Sequence, residues 1–134
     1  MSYREAEISE LSQRDSKLKF SVSLTEAKGS VVLHCKGQLR FRAEASLFAS
    51  TALRVLMDRR DLILDLSGLK SIDSAGLGEL VLVQMRARAA ECGVRIVAPG
   101  KWVRELLELT NVASLFEICA SLDEARLSLS REVA

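Results

Sequence analysis

Hydrophobic and polar positions change their spacing several times along the chain, and each change predicts a different element. Phe20, Val22 and Leu24 alternate with polar neighbours, and the apolar run at residues 31–35 follows a turn at Lys28-Gly29-Ser30. Such alternation is typical of strands that bury one face, and a short connection with glycine is typical of a hairpin. The sequence therefore predicts a β-hairpin at the start of the folded part.

Helical patterns and short apolar runs then alternate to the end of the chain. Helical spacing predicts a helix over residues 43–59, and the almost wholly apolar run 62–66 predicts a strand covered on both faces. The other predicted elements are a helix over 79–92 that ends at Gly93, a strand over 94–98, a helix over 101–109, an extended piece over 116–118 and a helix over 121–133. The predicted core stripe of the second helix is Leu77, Leu80, Val81, Met85 and Ala89.

This order of elements predicts an α/β fold. A mixed, partly parallel β-sheet of about four to five strands would pack against about four α-helices. The last helix has a clear start signal, because Ser121 and Glu124 have capping-box spacing. Residues 1–17 are charged and poor in large apolar side chains, so we expect a leader there and a single domain over residues 18–134.

Composition excludes several classes of function. The 134 residues are 49% hydrophobic and 28% charged, which supports a folded core, and the net charge of +1 with 4% aromatic residues gives no case for nucleic-acid binding. The three widely spaced cysteines match neither a disulfide framework nor a zinc site, so we expect free, mostly buried thiols. No apolar run is long enough to span a membrane, and the first residues lack a secretory signal. We therefore expect a cytoplasmic protein.

One segment combines small and polar residues between a buried strand and a helix, and it reads Asp73-Ser74-Ala75-Gly76-Leu77-Gly78. It could be a structural corner in which Asp73 or Ser74 caps the helix. Alternatively, a serine at a helix start could carry a phosphoryl group, which the free N–H groups and the positive end of the helix dipole favour. Both interpretations stay open at this level.

Enzyme signatures are incomplete. The segment Gly76-x-Gly78 lacks the third glycine of a dinucleotide fingerprint, and Pro99-Gly100-Lys101 lacks the rest of a phosphate loop. The only histidine, His34, lies in a predicted strand without a catalytic motif around it, and is predicted to be structural. We expect no catalytic residue, no metal ligand and no cofactor.

Residues 62–125 resemble the STAS domain of bacterial anti-sigma factor antagonists, and with the hairpin and first helix the resemblance covers roughly residues 20–130. Its signature is an Asp-Ser-small-Gly-Leu-Gly turn between a strand and a helix. The resemblance implies a STAS-like fold and a protein-binding switch rather than an enzyme. Ser74 would be phosphorylated by a partner that is both a serine kinase and an anti-sigma factor.

The same resemblance implies the states of the switch. The unphosphorylated antagonist would bind the kinase and free the sigma factor, the phosphorylated form would release the kinase, and a metal-dependent serine phosphatase would reset it. Asp73 would orient the loop or assist recognition. Gly76 and Gly78 would let the partner's backbone approach closely.

Helix geometry adds a candidate docking surface beside this turn. Ala75, Glu79, Leu82 and Arg86 lie on one line of the predicted helix, away from its core stripe. Leu82 could equally pack on a neighbouring element. Arg40 stands where members of the family often carry an acidic residue, so we expect it to lie near the partner surface and to influence partner choice.

Two other functions remain open from the sequence. STAS-like domains also serve as non-switching subunits of lipid-transport complexes or of larger signalling assemblies. A small-molecule sensor with a pocket at the strand ends is a third possibility, although no polar cluster in the sequence supports it.

Overall fold

The computed structural model describes residues 19–27 and 29–133, so the predicted leader at 1–17 lies outside the described residues. The elements in chain order are β1 (Phe20–Ala27), β2 (Ser30–Leu39), α1 (Phe41–Met57), β3 (Asp61–Ile72), α2 (Ser74–Ala89), β4 (Val94–Val97), α3 (Lys101–Leu109), a short 3-10 turn (Ala113–Leu115), β5 (Glu117–Cys119) and α4 (Leu122–Val133). The predicted order of strands and helices is confirmed.

The five strands form one sheet in the order β1-β2-β3-β4-β5. The hairpin β1–β2 is antiparallel, and each later pair is parallel. The predicted mixed α/β fold with four helices is therefore confirmed. Because β2 and β3 are parallel neighbours, their carboxyl ends meet at one edge of the sheet, where Leu39 is paired with Ile72.

Helices cover both faces of the sheet. The larger apolar cluster joins α1, α2 and α3 to one face, with Phe48, Leu64 and Leu80 fully buried in it. A smaller cluster on the other face joins Val32 and Ile63 to Leu129 of α4. This coverage explains why residues 62–66 are almost wholly apolar, since alternate side chains enter two different cores.

A buried arginine also holds α4 to the sheet. The Nε of Arg95 on β4 donates to Ser128 Oγ of α4 at 2.7 Å and lies 2.6 Å from Glu117 Oε2 on β5. The start signal predicted for α4 is confirmed: Glu124 N donates to Ser121 Oγ at 3.1 Å. The Glu124 carboxylate reaches back to Ala120 N at 2.6 Å, one residue before the cap.

The predicted bounds of α2 are wrong at both ends. The helix begins at Ser74 rather than Glu79, because the Asp73 side chain caps it and the glycine-containing segment forms its first turn. It ends at Ala89 rather than at Gly93. Glu91 adopts the left-handed conformation (φ 58°), and Cys92 N donates to Ala87 O at 2.9 Å, which closes the helix without a glycine.

The predicted core stripe of α2 is also partly wrong. The buried residues are Gly76, Leu77, Leu80, Val83 and Ala87. Met85 is 62% exposed, Ala89 is exposed and Val81 is half-buried. Gly76 has no side chain and Ala87 has only a methyl group, so the buried line of the helix passes through them rather than through the larger Met85.

Two further observations complete the fold. The three cysteines are free, as expected; Cys35 and Cys119 are buried and Cys92 is half-buried. Within residues 19–27 and 29–133, none of the helices has the length and apolar character needed to cross a membrane.

The central strand β3 gives a test of the core. Leu64 is fully buried there, whereas Leu109 of α3 is 81% exposed. We expect Leu64→Ala to lower the free energy of unfolding by about 3 kcal/mol, because it removes buried methyl groups and leaves a cavity. Leu109→Ala should change it by less than about 0.5 kcal/mol. Urea denaturation followed by circular dichroism measures both, and equal losses would contradict the packing described here.

Candidate functional site

The candidate site lies where the ends of β2 and β3 meet the starts of α1 and α2. Asp73 and Arg40 each follow a strand, and Asp73 N donates to Leu39 O at 3.2 Å. The Asp73 carboxylate then bonds both helix starts: Oδ1 accepts from Gly76 N at 3.1 Å and Oδ2 accepts from Phe41 N at 2.8 Å. One carboxylate therefore caps α2 and also holds the chain at the entry to α1.

Hydrogen bonding also fixes the charge of Asp73. The backbone N–H of Phe41 is the main cause of a pKa below the ordinary aspartate value. Burial opposes it as the second-largest effect, and the N–H groups of Gly76 and Ala75 and the charge of Arg40 lower the pKa further. Asp73 is thus ionised at neutral pH. Both of its oxygens are engaged by backbone donors.

Ser74 is the first residue of α2, and its side chain is exposed. The expectation that Asp73 or Ser74 caps the helix is confirmed for Asp73, which leaves the Ser74 hydroxyl outside the cap. Among the described residues, the Ser74 side chain takes part in no hydrogen bond. The hydroxyl is therefore accessible from solvent.

The two glycines of the turn have different surroundings. A Cβ atom on Gly76 would lie 2.6 Å from Leu39 O and 2.7 Å from Ile72 Cγ1, whereas a Cβ on Gly78 would meet nothing within 4 Å. The close approach at Gly76 is made by the chain's own backbone, which differs from the expected approach of a partner. Gly78 is exposed, so a partner could approach it closely.

The predicted line of docking residues follows α2 but does not stay near Ser74. Ala75, Glu79 and Leu82 are half-buried, and Arg86 is exposed. Twelve residues of helix separate Ser74 from Arg86, which is about 18 Å. Arg86 instead lines a groove of about 400 Å³ between the ends of α1 and α2, together with Leu53, Leu56, Met57, Arg59, Ala89 and Ala90.

Phe41 is a site residue that the sequence reasoning missed. Its side chain is 63% exposed, and its φ of 63° lies in the left-handed region. A bulky residue rarely adopts this conformation, at a cost of about 1–3 kcal/mol. The hydrogen bond from Phe41 N to Asp73 holds it there, and the Arg40 guanidinium carbon lies 5.5 Å from the centre of its ring. No sequence signal indicates this conformation.

Glu44 was also missed, although a signal for it exists. Its side chain is buried, and its carboxylate accepts from Arg40 N at 3.0 Å and from Lys19 N at 2.9 Å. An acidic residue in the first turn of a helix that reaches back to the N-terminal N–H groups is a capping arrangement. The helix was predicted to start at residue 43, whereas α1 begins at Phe41. With the wrong start, the capping position of Glu44 could not be identified.

His34 lies elsewhere and joins three strands. Its Nδ1 is 2.7 Å from Asp65 Oδ2 on β3, and its Nε2 is 2.9 Å from Thr25 Oγ1 on β1. Burial raises the pKa of Asp65, but hydrogen bonds from Ser67 and His34 outweigh burial and the net shift is downward.

Thr25, His34 and Asp65 have the same order of hydroxyl, imidazole and carboxylate as the catalytic triad of a serine hydrolase. Such a triad also needs backbone N–H groups that converge near the nucleophile to bind the oxyanion. Strand N–H groups lie in the plane of the sheet and do not point at the Thr25 hydroxyl on its face. His34 is bonded to Asp65, and Asp65 precedes Asp73 by eight residues of mostly extended chain, roughly 25 Å. His34 is therefore too far from Ser74 to act as its base.

A second cavity borders the end of β3, with a volume of about 260 Å³. Its lining residues are Lys70, Ser71, Ile72, Trp102, Val103, Glu105, Leu106 and Leu109. This volume is below the range of about 300–1,000 Å³ that is usual for pockets of drug-sized ligands.

Among the described residues, no cluster of three or more histidine, cysteine, aspartate or glutamate side chains could hold a metal ion.

Comparison with known proteins decides the family. The family model of the STAS domain matches residues 21–125. The chain belongs to the STAS domain family. No curated protein sequence matches it.

Solved structures share the STAS fold of this chain. A Thermotoga maritima protein described as an anti-sigma factor antagonist is 23% identical, with a TM-score of 0.74 over 81% of this chain and 94% of that one. The phosphorylated form of the Bacillus cell fate determinant SpoIIAA is 16% identical, with a TM-score of 0.62 over 78% of this chain and 96% of that one. The murine Solute Carrier 26 family member A9 anion transporter is 18% identical, with a TM-score of 0.65 over 80% of this chain and 18% of that one.

The contrast between the glycines gives a matched pair of variants. Gly76→Ala should lower the free energy of unfolding by about 1–3 kcal/mol, because the added methyl group must displace the Leu39 carbonyl. Gly78→Ala should raise it by about 0.5–1 kcal/mol, since alanine favours helix and space is open. Chemical denaturation measures both; a stabilised Gly76→Ala variant would contradict the contact with Leu39.

Asp73 gives a test with a defined pH dependence. Asp73→Ala should cost about 1–2 kcal/mol at neutral pH, because it removes the cap of α2 and the partner of Phe41 N. Ser74→Ala is the control and should stay within about 0.5 kcal/mol of the wild type.

The sign of the pH effect follows from the lowered pKa of Asp73. Its ionised form contributes stability above the ordinary aspartate pKa of 3.8, and this contribution is lost as the pH falls through the lower folded value. The difference between wild type and Asp73→Ala should therefore be constant above about pH 5 and shrink below the ordinary pKa. Urea denaturation at a series of pH values measures it, and a difference that grows on acidification would contradict the assignment.

Proposed function

We propose that this STAS domain is an anti-sigma factor antagonist whose binding is controlled by phosphorylation of Ser74. With Ser74 unphosphorylated, it binds and sequesters an anti-sigma factor that is also a serine kinase; with Ser74 phosphorylated, it releases that partner. The protein acts in the cytoplasm as a binding module, without a cofactor and without a catalytic residue of its own. A metal-dependent serine phosphatase resets the switch.

The observation that carries the proposal is the position of the Ser74 hydroxyl. It is exposed at the first turn of α2, and the cap beside it is made by Asp73 alone. Both Asp73 oxygens accept backbone N–H groups, and no side chain in the described part of the chain is hydrogen-bonded to the Ser74 hydroxyl to activate it as a nucleophile. An accessible, unactivated hydroxyl suits an acceptor whose base is supplied by a kinase.

The switch consists of two reactions, one that consumes ATP and one that consumes water. The kinase transfers the γ-phosphoryl group of ATP to Ser74 Oγ, which releases ADP and the hydroxyl proton. The phosphatase then uses water to return the serine hydroxyl and inorganic phosphate. Among the structural neighbours, SpoIIAA exists in a phosphorylated form, which supports a phosphoacceptor role for a STAS domain.

The surface around Ser74 supports a protein partner. Phe41 is an exposed apolar side chain, Leu82 is half-buried, and Gly78 is exposed with open space around its Cα. Asp73, Ala75, Glu79 and Arg40 are the further proposed members of the partner surface. Gly76 is buried against Leu39, and Arg86 lines the separate groove between the ends of α1 and α2, so neither belongs to it. A phosphate of about −1.5 to −2 charges at Ser74 would have to be desolvated in such an interface, which favours release.

A second candidate function is a non-switching STAS subunit of a lipid-transport complex or a larger signalling assembly. The shared fold of the murine anion transporter supports it, because there the STAS fold is part of a much longer chain. In that role the fold would dock without any chemistry at Ser74.

Phosphorylation in vitro separates these functions. The purified protein is incubated with radiolabelled ATP and each serine kinase of the anti-sigma type encoded by the same organism. We expect one such kinase to add one phosphate, and Ser74→Ala to abolish the labelling while it still binds that kinase. Ser50→Ala, which removes another exposed serine, should be labelled like the wild type.

The binding step has its own measurement. Isothermal titration of the same kinase should give at least a tenfold weaker affinity for the phosphorylated protein, a change of about 1.4 kcal/mol. Full labelling of Ser74→Ala would refute Ser74 as the acceptor. Equal affinity of both forms would favour the non-switching subunit.

A further inference from the structure

Arg40 is held next to the proposed phosphorylation site by its two chain neighbours. Leu39 O accepts from Asp73 N at 3.2 Å, and Phe41 N donates to Asp73 Oδ2 at 2.8 Å. Asp73 directly precedes Ser74. The backbone of Arg40 is therefore fixed from both sides against Asp73, the residue before Ser74.

The side chain of Arg40 is available for a new anionic partner. It is exposed, with its guanidinium carbon 5.5 Å from the centre of the Phe41 ring. Within the described part of the chain it forms no ion pair. Its charge already acts on this site, since it is one of the causes that lower the pKa of Asp73.

The other charged groups nearby are already committed or differently placed. Glu44 is buried and its carboxylate accepts the N–H groups of Arg40 and Lys19. Asp73 accepts the N–H groups of Phe41 and Gly76. Arg42 is exposed two residues further along α1. A phosphate on Ser74 would thus lie beside the Asp73 carboxylate, and Arg40 is an exposed cation whose two chain neighbours are hydrogen-bonded to Asp73.

We propose that Arg40 is the intramolecular partner of the phosphate on Ser74. The guanidinium leaves the Phe41 ring and pairs with the phosphate oxygens, a geometry that arginine makes in bidentate form. Phosphorylation then changes the partner surface twice: it adds a dianion at Ser74 and removes the free positive charge of Arg40. A partner that uses an acidic group to recognise Arg40 loses that contact at the same moment.

This inference rests on the proposed phosphorylation of Ser74, but its test does not need the kinase. Phosphoserine is placed at position 74 during protein synthesis, and the phosphate is titrated by ³¹P NMR at low salt. The second pKa of phosphoserine is about 6. Because Arg40 stabilises the dianion, Arg40→Gln should raise this pKa by about 0.3–0.5 pH units.

Matched variants isolate the effect of position from that of charge. Arg42→Gln removes the same charge from the same turn and should change the phosphate pKa by less than Arg40→Gln does, because its charge, unpaired with the phosphate, acts only through space. Arg40→Lys keeps the charge without the planar fork and should give an intermediate value. In 1 M salt the difference between wild type and Arg40→Gln should largely disappear, since exposed charges are screened.

A second measurement covers the case in which a variant does not fold. The Nε–Hε group of Arg40 in the otherwise unchanged protein should become protected from solvent exchange on phosphorylation. An unchanged phosphate pKa in Arg40→Gln, an equal shift in Arg42→Gln, or an Arg40 Nε–Hε group that is unaffected by the phosphate would each overturn the pairing. Failure of every kinase to label Ser74, with the pairing intact, would instead count against the proposed function.

Discussion

The hydrogen bonds of the Asp73 carboxylate are the interaction on which the site depends. One oxygen accepts from Gly76 N and starts α2, while the other accepts from Phe41 N and holds the start of α1. This is possible because β2 and β3 are parallel neighbours whose last residues, Leu39 and Ile72, are paired after two register shifts along the strands. The sheet therefore brings together two helix starts that lie 33 residues apart in the chain.

Much of the fold could be predicted because the signals that carry it are local. Lys101–Leu109 forms the predicted helix without error, since its apolar residues keep one helical face. The capping box at Ser121 and Glu124 was likewise readable from spacing. The ends of α2 could not be predicted in this way. Its first turn depends on the Asp73 cap, and its last turn depends on Glu91 in a left-handed conformation that the sequence does not indicate.

The candidate site was also predicted only in part. A cap made by Asp73 or Ser74 follows from residue types alone and was predicted, but the structure was needed to show that Asp73 makes it. The difference between Gly76 and Gly78 was not predicted, because it depends on the Leu39 carbonyl, which is distant in sequence. Phe41 was missed for a related reason, since its positive φ is paid for by a tertiary hydrogen bond to Asp73. Spacing contains no information about such contacts.

The separation of roles between Asp73 and Ser74 has a physical consequence for regulation. The residue that stabilises the helix start is not the residue that would be modified, so charge can be added at Ser74 while the cap and the Phe41 contact stay in place. Since Gly76 and Leu39 also pack without clearance, this junction has little freedom to rearrange. A modification at Ser74 must therefore act through the charge and shape of the surface and not through refolding. In a chain whose net charge is +1, that local change is large compared with the overall balance.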